Sequence, residues 1–402
     1  MATLLQINST ANWGSTGKIA EQIGECAMAH GWGSYIAYGR CANPSRSHLI
    51  RIGSKASQAW HLIISRLFDR QGLGSKRATK QLIKQIERIQ PDIIHLHNIH
   101  GYYINYKVLF DYLNNIGIPV VWTMHDCWPF TGRCAYFDTV QCTRWQSGCG
   151  ECPALKLYPK TKRDTSAENF ELKRKLFTAK QQLVLVPVSN WLEGLVGQSM
   201  LRECRCQTIH NGIDIESFKP TTINSLRGVS DKHLILGVAA QWEARKGLEE
   251  FYKLRDRLDI DTYDIALIGL SDEQIAALPA GITGIRRTQN VGELAAYYTR
   301  ASVFVNPTYS DNYPTTNLEA MACGTPVITY RTGGSPEAIC PKSGIIVEQG
   351  DITALKDAIE EICANGKEYY SDACRKRAEE HFDKNKCFMQ YINLYNSLLT
   401  TK

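Results

Sequence analysis

Two acidic residues, Asp311 and Glu319, lie eight positions apart on either side of the predicted start of a short helix. Pro314 suits the first position of this helix, and Gly324 suits its end. The first backbone amides of a helix have no partner within it, and the helix dipole adds positive charge there, so residues 315–317 could bind phosphate. Carboxylates around an anion site predict a phosphorylated ligand that also carries hydroxyl groups.

A basic pair, Arg245 and Lys246, follows an apolar run at residues 234–240. Such a pair at the carboxyl end of a strand suits a pyrophosphate, because positive charge stabilises a departing nucleotide. A solvated charge pair is the alternative interpretation.

The elements that must position these residues are short apolar runs, such as residues 301–305 and 326–330, which are typical of buried parallel strands. They alternate with helical patterns in both halves of the chain. At 402 residues, of which 44% are hydrophobic and 21% charged, the chain is too long for one ordinary core. We therefore predict an α/β protein with two doubly wound, Rossmann-like domains that bind ligands at the carboxyl ends of their strands.

In the first half, one predicted strand ends in His125 and Asp126, a pair that could hydrogen-bond beside a reacting group. A purely structural pair is the alternative. An earlier strand is followed by His100 and Tyr103, from which we expect hydrogen bonds and an aromatic surface for ligand hydroxyl groups. Zinc at the histidines of this segment is disfavoured, since no further ligands follow at a familiar spacing.

The loop after the first strand contains Gly14 and Gly17, before a predicted helix at residues 19–30. A P-loop is disfavoured, because Asn12 stands where its first glycine belongs and Ile19 where Ser or Thr must reach magnesium. We expect a flexible loop whose glycines let the backbone approach a diphosphate or an acceptor. A plain turn is the alternative.

A cysteine-rich segment at residues 127–153 contains a Cys-Gly-Glu-Cys turn that suits two thiolates on one tetrahedral ion. A structural zinc ion could be bound by four residues, namely Cys134, Cys142, Cys149 and Cys152. Disulfides and unpaired buried thiols are the alternatives.

Residues 56–89 are basic and amphipathic, which fits either a helix pair packed on the sheet or contact with an anionic membrane. The net charge of +6 is too diffuse to indicate nucleic acid. No apolar run is long enough for a membrane span, and the first residues lack the pattern of an export signal. We expect a cytoplasmic protein, with peripheral contact at the inner face of the plasma membrane as a further option.

The acid, the helix and the following strand in residues 306–327 resemble the donor-site signature of retaining GT-B glycosyltransferases, family 4 in particular. Asp311 stands where the family usually has Glu. Lys246 matches the family's lysine, but Gln241 occupies the position of its arginine, for which Arg245 could substitute. The segment around residues 125–153 is similar to a branch that builds bacterial exopolysaccharide and capsule, including colanic-acid transferases.

The resemblance implies a GT-B fold with two domains facing a central cleft. The implied acceptor domain spans residues 1–216, the donor domain residues 217–382, and a terminal helix at 383–402 packs back on the first domain. It also implies transfer of a sugar from a UDP- or GDP-sugar to a saccharide or lipid-linked saccharide, without a catalytic cofactor. A hydrolase or epimerase on the same fold and a non-catalytic binding protein are the alternatives.

The resemblance also implies which residues contact which part of the ligand. Glu319 would bind the ribose, Asp311 the donor sugar, and Lys246 and Arg245 the diphosphate. His125 would contact the donor sugar. From the positions of the residues themselves we also expect donor contacts from Thr315, Thr316, Asn317, Gly14 and Gly17, and acceptor contacts from His100, Tyr103 and Asp126.

Overall fold

The structure is a computed structural model that describes residues 1–221 and 226–400. Backbone contacts divide them into two units, of which unit 1 comprises residues 1–210 with 388–400, and unit 2 comprises residues 211–387. The sequence places these divisions after residues 216 and 382 instead. Within the described ranges, no helix has both the length and the apolarity that crossing a bilayer requires.

Unit 1 is built on a parallel sheet whose strand order is β3-β2-β1-β4-β5-β6-β7. Its strands are β1 Thr3–Asn8, β2 Gly33–Tyr38, β3 His48–Arg51, β4 Ile93–Leu96, β5 Val120–Met124, β6 Leu183–Pro187 and β7 Arg205–Cys206. Its helices are α1 Gly14–Ala29, α2 Lys55–Phe68, α3 Lys76–Ile89, α4 Tyr106–Leu113, α5 Ser166–Phe177 and α6 Asn190–Val196.

Unit 2 repeats this plan with the strand order β10-β9-β8-β11-β12-β13, again parallel. Its strands are β8 His233–Val238, β9 Tyr263–Ile268, β10 Ile282–Ile285, β11 Val303–Asn306, β12 Val327–Tyr330 and β13 Gly344–Val347. Its helices are α7 Leu248–Arg255, α8 Asp272–Ala276, α9 Val291–Arg300, α10 Thr315–Ala322, α11 Ile352–Asn365 and α12 Glu368–His381. The α/β prediction with doubly wound parallel sheets is confirmed.

The central strands are apolar throughout because helices cover both faces of each sheet. Every residue of β4, β5, β6, β11 and β12 is buried. In each unit the first strand is central, the next two strands extend the sheet on one side, and the later strands extend it on the other side. The carboxyl ends of β8 and β11, and likewise those of β1, β4 and β5, therefore lie side by side.

The last helix, α13, spans Lys384–Thr400 and carries an aromatic stripe that the helical spacing predicted to be core. This prediction is confirmed, since Phe388, Tyr391 and Tyr395 are buried. Tyr395 Oη lies 2.7 Å from His95 Nδ1, and Tyr391 Oη lies 2.9 Å from Thr123 Oγ1. The terminal helix is thus tied by hydrogen bonds to two central strands of unit 1.

Two helix starts differ from their predicted positions. The helix α1 begins at Gly14 rather than at residue 19, because Asn12 and Gly14 adopt left-handed backbone conformations and turn the chain at once. The helix α10 begins at Thr315, and Pro314 is its extended N-cap rather than its first helical residue. Gly324, with φ +74°, follows the end of α10 as predicted.

Candidate functional site

The candidate donor site lies in unit 2, where the loops after β8 and β11 meet. The amide of Tyr309 donates to the carbonyl of Arg245 at 2.7 Å, and Thr308 Oγ1 donates to the same oxygen at 3.1 Å. Gly247 has φ +74°, and a Cβ there would lie 2.2 Å from the carbonyl oxygen of Pro307. Glycine is therefore required for the basic loop (residues 241–247) to approach the acidic loop (residues 307–314) so closely.

This contact brings together the basic and acidic residues that the sequence singled out. Lys246 Nζ forms a salt bridge with Asp311 Oδ2, and both side chains are about one-fifth exposed. Arg245 donates through Nη1 to the carbonyl of Ser310 at 3.0 Å, and its Nε lies 3.1 Å from a carboxylate oxygen of Glu243. The site therefore presents two cations, each beside a carboxylate.

The helix α10 opens next to this group without a side-chain cap. The amide of Asn317 already donates to the carbonyl of Pro314 at 3.2 Å. In the described part of the chain the amides of Thr315 and Thr316 have no partner, and both residues are partly exposed. These two amides are thus available to an anion, at the positive end of the helix dipole.

Glu319 lies one turn into α10, half-buried, and accepts a hydrogen bond from Tyr298 Oη at 3.0 Å. Burial and the nearby carboxylate raise the pKa of Tyr298 well above its usual value, so the phenol remains a donor at neutral pH. This bond orients the Glu319 carboxylate.

Three buried polar atoms in this region have no hydrogen-bond partner within the described residues: Asn317 Nδ2, Thr332 Oγ1 and Ser335 Oγ. The turn that carries Thr332 and Ser335 packs on the Asp311 loop, since a Cβ at Gly333 would lie 1.8 Å from the carbonyl oxygen of Asp311. Buried polar groups are almost always satisfied, and a ligand or water would satisfy these.

Glu250, a buried carboxylate that the sequence analysis did not identify, supports the acidic loop through hydrogen bonds. It accepts hydrogen bonds from Tyr309 Oη at 2.9 Å and Tyr330 Oη at 2.7 Å, and pairs with Lys253. Burial alone would raise the pKa of Glu250, but these hydrogen bonds outweigh it and lower the pKa below its usual value. A carboxylate on the buried face of α7, one turn before Leu254, was the available signal.

In unit 1 the adjacent residues His125 and Asp126 have different hydrogen-bond partners. Asp126 Oδ2 lies 2.8 Å from His100 Nε2, whereas His125 Nε2 lies 3.1 Å from His97 Nδ1. Asp126 therefore pairs with the histidine predicted to contact an acceptor. His97 in turn reaches Gln6 Oε1 at 3.0 Å, which completes a polar row across β1, β4 and β5.

Tyr103 does not form an aromatic surface, contrary to expectation. It is buried, its hydroxyl donates to the carbonyl of Asn98 at 2.8 Å, and its ring fills the space that a Cβ at Gly39 would need. His100 is also buried and lies 3.1 Å from Tyr158 Oη through Nδ1. Both residues shape the loop after β4 from inside.

The predicted flexible glycine loop is also wrong as a local structure, because Gly14 and Gly17 belong to the first turn and a half of α1. A Cβ at Gly17 would lie 2.7 Å from Thr10 Oγ1, so this glycine lets the helix pack on the preceding loop. Gly14 has open space around its Cα and remains accessible to a ligand.

The histidines His95, His97 and His125 predict that folding of unit 1 is sensitive to acid. Burial lowers the pKa of His125 to about 4 and places those of His95 and His97 well below the usual 6.5. As the pH falls below about 6.5, the unfolded chain binds protons that the folded unit does not, so the free energy of unfolding decreases. For His125 alone the loss approaches about 3 kcal/mol by pH 4.

Denaturant unfolding between pH 7 and pH 4 measures this effect. His125→Gln should flatten the pH dependence, and substitution of the exposed His30 by Gln should leave it unchanged. Equal pH dependence in both variants would show that protonation of His125 does not contribute to the acid sensitivity.

The four candidate zinc ligands, Cys134, Cys142, Cys149 and Cys152, line one small cavity with Phe137 and Trp145 among its walls. All fourteen cysteines of the chain are free thiols. The amide of Gly132 donates to Cys149 Sγ at 3.1 Å. Among the described residues, however, no three His, Cys, Asp or Glu side chains are arranged to hold a metal ion as they stand. Four cysteine ligands suit zinc, but the side chains would have to move closer together to coordinate it.

Solved structures with this architecture are glycosyltransferases of the GT-B class. Sucrose-phosphate synthase from Thermosynechococcus elongatus superimposes with a TM-score of 0.75 at 18% identity over the whole of both chains. An Anabaena protein crystallised with UDP-glucose superimposes with a TM-score of 0.66 at 12% identity, over 99% of this chain and all of that one. At such identities the likeness establishes the GT-B fold.

Sequence comparison identifies the family. The model for glycosyl transferases group 1 matches residues 232–365, and that for glycosyltransferase family 4 matches residues 36–217. A colanic acid biosynthesis glycosyl transferase from Escherichia coli is 24% identical over 98% of this chain and 100% of its own length. The chain belongs to the group 1, family 4 glycosyltransferases, and the resemblance inferred from the sequence is confirmed.

Proposed function

We propose that this enzyme transfers a sugar from a nucleoside-diphosphate sugar to a saccharide acceptor, with retention of the anomeric configuration, during synthesis of a bacterial surface polysaccharide. The observation that carries the proposal is the arrangement in unit 2 of the Lys246–Asp311 pair and the uncapped start of α10, with Glu319 one turn further along that helix. The Escherichia coli relative, named for colanic acid biosynthesis, supports the polysaccharide setting.

In the proposed reaction the diphosphate binds at the helix start. The amides of Thr315 and Thr316 donate to phosphate oxygens, and Lys246 releases Asp311 to pair with the phosphates. Negative charge grows on the diphosphate as the bond to the sugar breaks, and Lys246 stabilises that charge. Arg245 adds a second positive charge at the same loop, in place of the arginine that Gln241 replaces.

The carboxylates of Glu319 and Asp311 bind the ribose and the sugar of the donor. Glu319, held by Tyr298, accepts hydrogen bonds from the two ribose hydroxyls. Asp311, once free of Lys246, accepts hydrogen bonds from hydroxyls of the sugar. For His125, the proposed contact with the donor sugar rests on the family resemblance. The proposed acceptor roles of His100 and Asp126 rest on their positions after the strands β4 and β5. The acceptor hydroxyl attacks the anomeric carbon on the face that the diphosphate leaves, so the new bond retains the configuration without a covalent intermediate. The departing diphosphate takes the acceptor's proton.

A donor panel tests the proposal. The purified enzyme is heated with UDP- and GDP-sugars, and the cognate donor should raise the melting temperature because it binds only the folded state. With a saccharide acceptor, NMR of the product should show the donor's anomeric configuration. An inverted product would overturn the retaining mechanism, and release of free sugar with no transfer would favour a hydrolase.

We also propose that the cysteine-rich segment binds one structural zinc ion through Cys134, Cys142, Cys149 and Cys152. Plasma emission spectrometry of the purified protein should find about one zinc per chain. The double substitution Cys149→Ser, Cys152→Ser should remove the metal and lower the melting temperature, and the control Cys204→Ser, Cys206→Ser should retain it. A metal-free native protein that melts at the same temperature with or without added zinc would refute the site.

A further inference from the structure

The helix α2 is oriented with its polar side inward and its apolar side outward. Its two fully buried residues are His61 and Ser65. Four large apolar side chains on the same helix are exposed: Trp60 by 62%, Ile63 by 47%, Leu67 by 42% and Phe68 by 50%. Trp60, Ile63 and Leu67 are spaced at i, i+3 and i+7, so they form one stripe along the helix.

Contacts on the buried side fix this orientation. His61 Nε2 accepts hydrogen bonds from the amides of Gly72 and Gly74, both at 3.1 Å, and His61 Nδ1 lies 2.9 Å from Ser75 Oγ. A Cβ at Gly74 would lie 2.4 Å from the His61 ring, so glycine is needed for this approach. Rotating α2 to bury the apolar stripe would break all three hydrogen bonds.

The carboxyl end of α2 is also anchored. Its C-cap, Asp69, forms a buried ion pair with Arg133 of the cysteine-rich segment, with Nε 3.0 Å from Oδ1. The amide of Lys162 donates to the carbonyl of Arg66 at 2.8 Å and ties the loop at 156–163 to this end of the helix. The exposed stripe is thus part of a rigid, packed region.

Basic residues are concentrated on α2 and on the segments that contact it. Residues 55–88 contain eight basic and two acidic residues, a net charge of +6 that equals that of the whole chain. The basic residues are all exposed: Lys55, Arg66, Arg70, Lys76, Arg77, Lys80, Lys84 and Arg88. The loop at 156–163 adds exposed Leu157 and Tyr158 and four more exposed basic residues: Lys156, Lys160, Lys162 and Arg163.

We propose that the apolar stripe of α2 and its basic rim form a docking surface for an anionic lipid bilayer. Apolar side chains headed by tryptophan insert at the level of the lipid headgroups, and lysine and arginine around them attract anionic phosphates. A second copy of the chain fits poorly, because a symmetric contact would bring two positive rims together. The proposal rests on exposure and charge and is independent of the proposed reaction.

Vesicle sedimentation tests this surface in the full-length protein. The protein should pellet with vesicles of 30% phosphatidylglycerol in phosphatidylcholine at about 0.1 M salt, far less with pure phosphatidylcholine, and less as salt increases. Trp60→Ser with Leu67→Ser should reduce the partition coefficient at least about tenfold. Ile260→Ser with Tyr369→Ser, which removes exposed apolar residues of unit 2, should leave it unchanged.

Two further measurements keep the test decisive. Lys80→Glu with Lys84→Glu should weaken binding to the anionic vesicles, while melting curves confirm that every variant is folded. Light scattering after gel filtration reports self-association. Absence of vesicle binding, equal binding by the α2 variant, or a native dimer that the α2 substitutions convert to monomer would each overturn the proposal.

Discussion

Substitution of Glu319 by alanine is expected to reduce kcat/KM for sugar transfer by about 10²–10⁴-fold. In the proposed complex this carboxylate accepts hydrogen bonds from two ribose hydroxyls, and hydrogen bonds to a charged group contribute about 1.5–3 kcal/mol each. The side chain is partly exposed and lies on the surface of a formed helix, so the fold should survive its removal.

Two additional variants separate binding from structure. Glu319→Gln can still accept from Tyr298 but loses the charge, and it should retain part of the activity. Glu348→Ala removes an exposed carboxylate of unit 2 that is ion-paired with Arg331, and it should transfer sugar at the parent rate. Steady-state kinetics with the cognate donor makes the comparison, and a Glu319→Ala enzyme with parent kcat/KM would remove the ribose assignment.

Substitution of Lys246 by alanine should lower kcat by about 10²–10³-fold, with a smaller effect on KM. The proposed role of the ammonium group is to stabilise charge that develops on the diphosphate as it leaves, and loss of one such donor in other enzymes has an effect of this size. Its present partner, Asp311, is partly exposed and also accepts from the amide of Asn312 at 3.0 Å, so the loop should remain folded.

The matched control for Lys246 is Lys356→Ala in the same unit, which should leave kcat unchanged although Lys356 also forms a salt bridge, with Glu360. Asp311→Asn should raise KM for the donor while leaving the charge on Lys246 in place. If Lys246→Ala changed only KM, the lysine would bind the donor without assisting departure of the diphosphate.

Much of the site in unit 2 could be predicted because its parts follow two buried strands, β8 and β11. Buried parallel strands appear as continuous apolar runs, and the polar residues that follow them must lie at one edge of the sheet. This reasoning predicted that Lys246, Asp311 and Glu319 lie on neighbouring elements. Glu250 and Tyr298, which support these residues, were not identified from the sequence, since each reaches the site from another helix through tertiary contacts.

Unit 1 shows where the local pattern is insufficient. His125 and Asp126 are neighbours in the sequence, yet Asp126 pairs with His100 and His125 with His97, because adjacent residues at a strand end point in different directions. The amphipathic pattern of residues 56–89 predicted two helices, which are present as α2 and α3. It did not reveal that α2 would bury His61 and expose Trp60, which depends on contacts with Gly72 and Gly74.

A crystal structure of the enzyme with its cognate nucleoside-diphosphate sugar tests the central claim most directly. It should show the two phosphates within hydrogen-bond distance of the amides of Thr315 and Thr316 and of Lys246 Nζ, and the ribose hydroxyls on the Glu319 carboxylate. A donor bound elsewhere in the protein, with the Lys246–Asp311 salt bridge intact, would contradict the account.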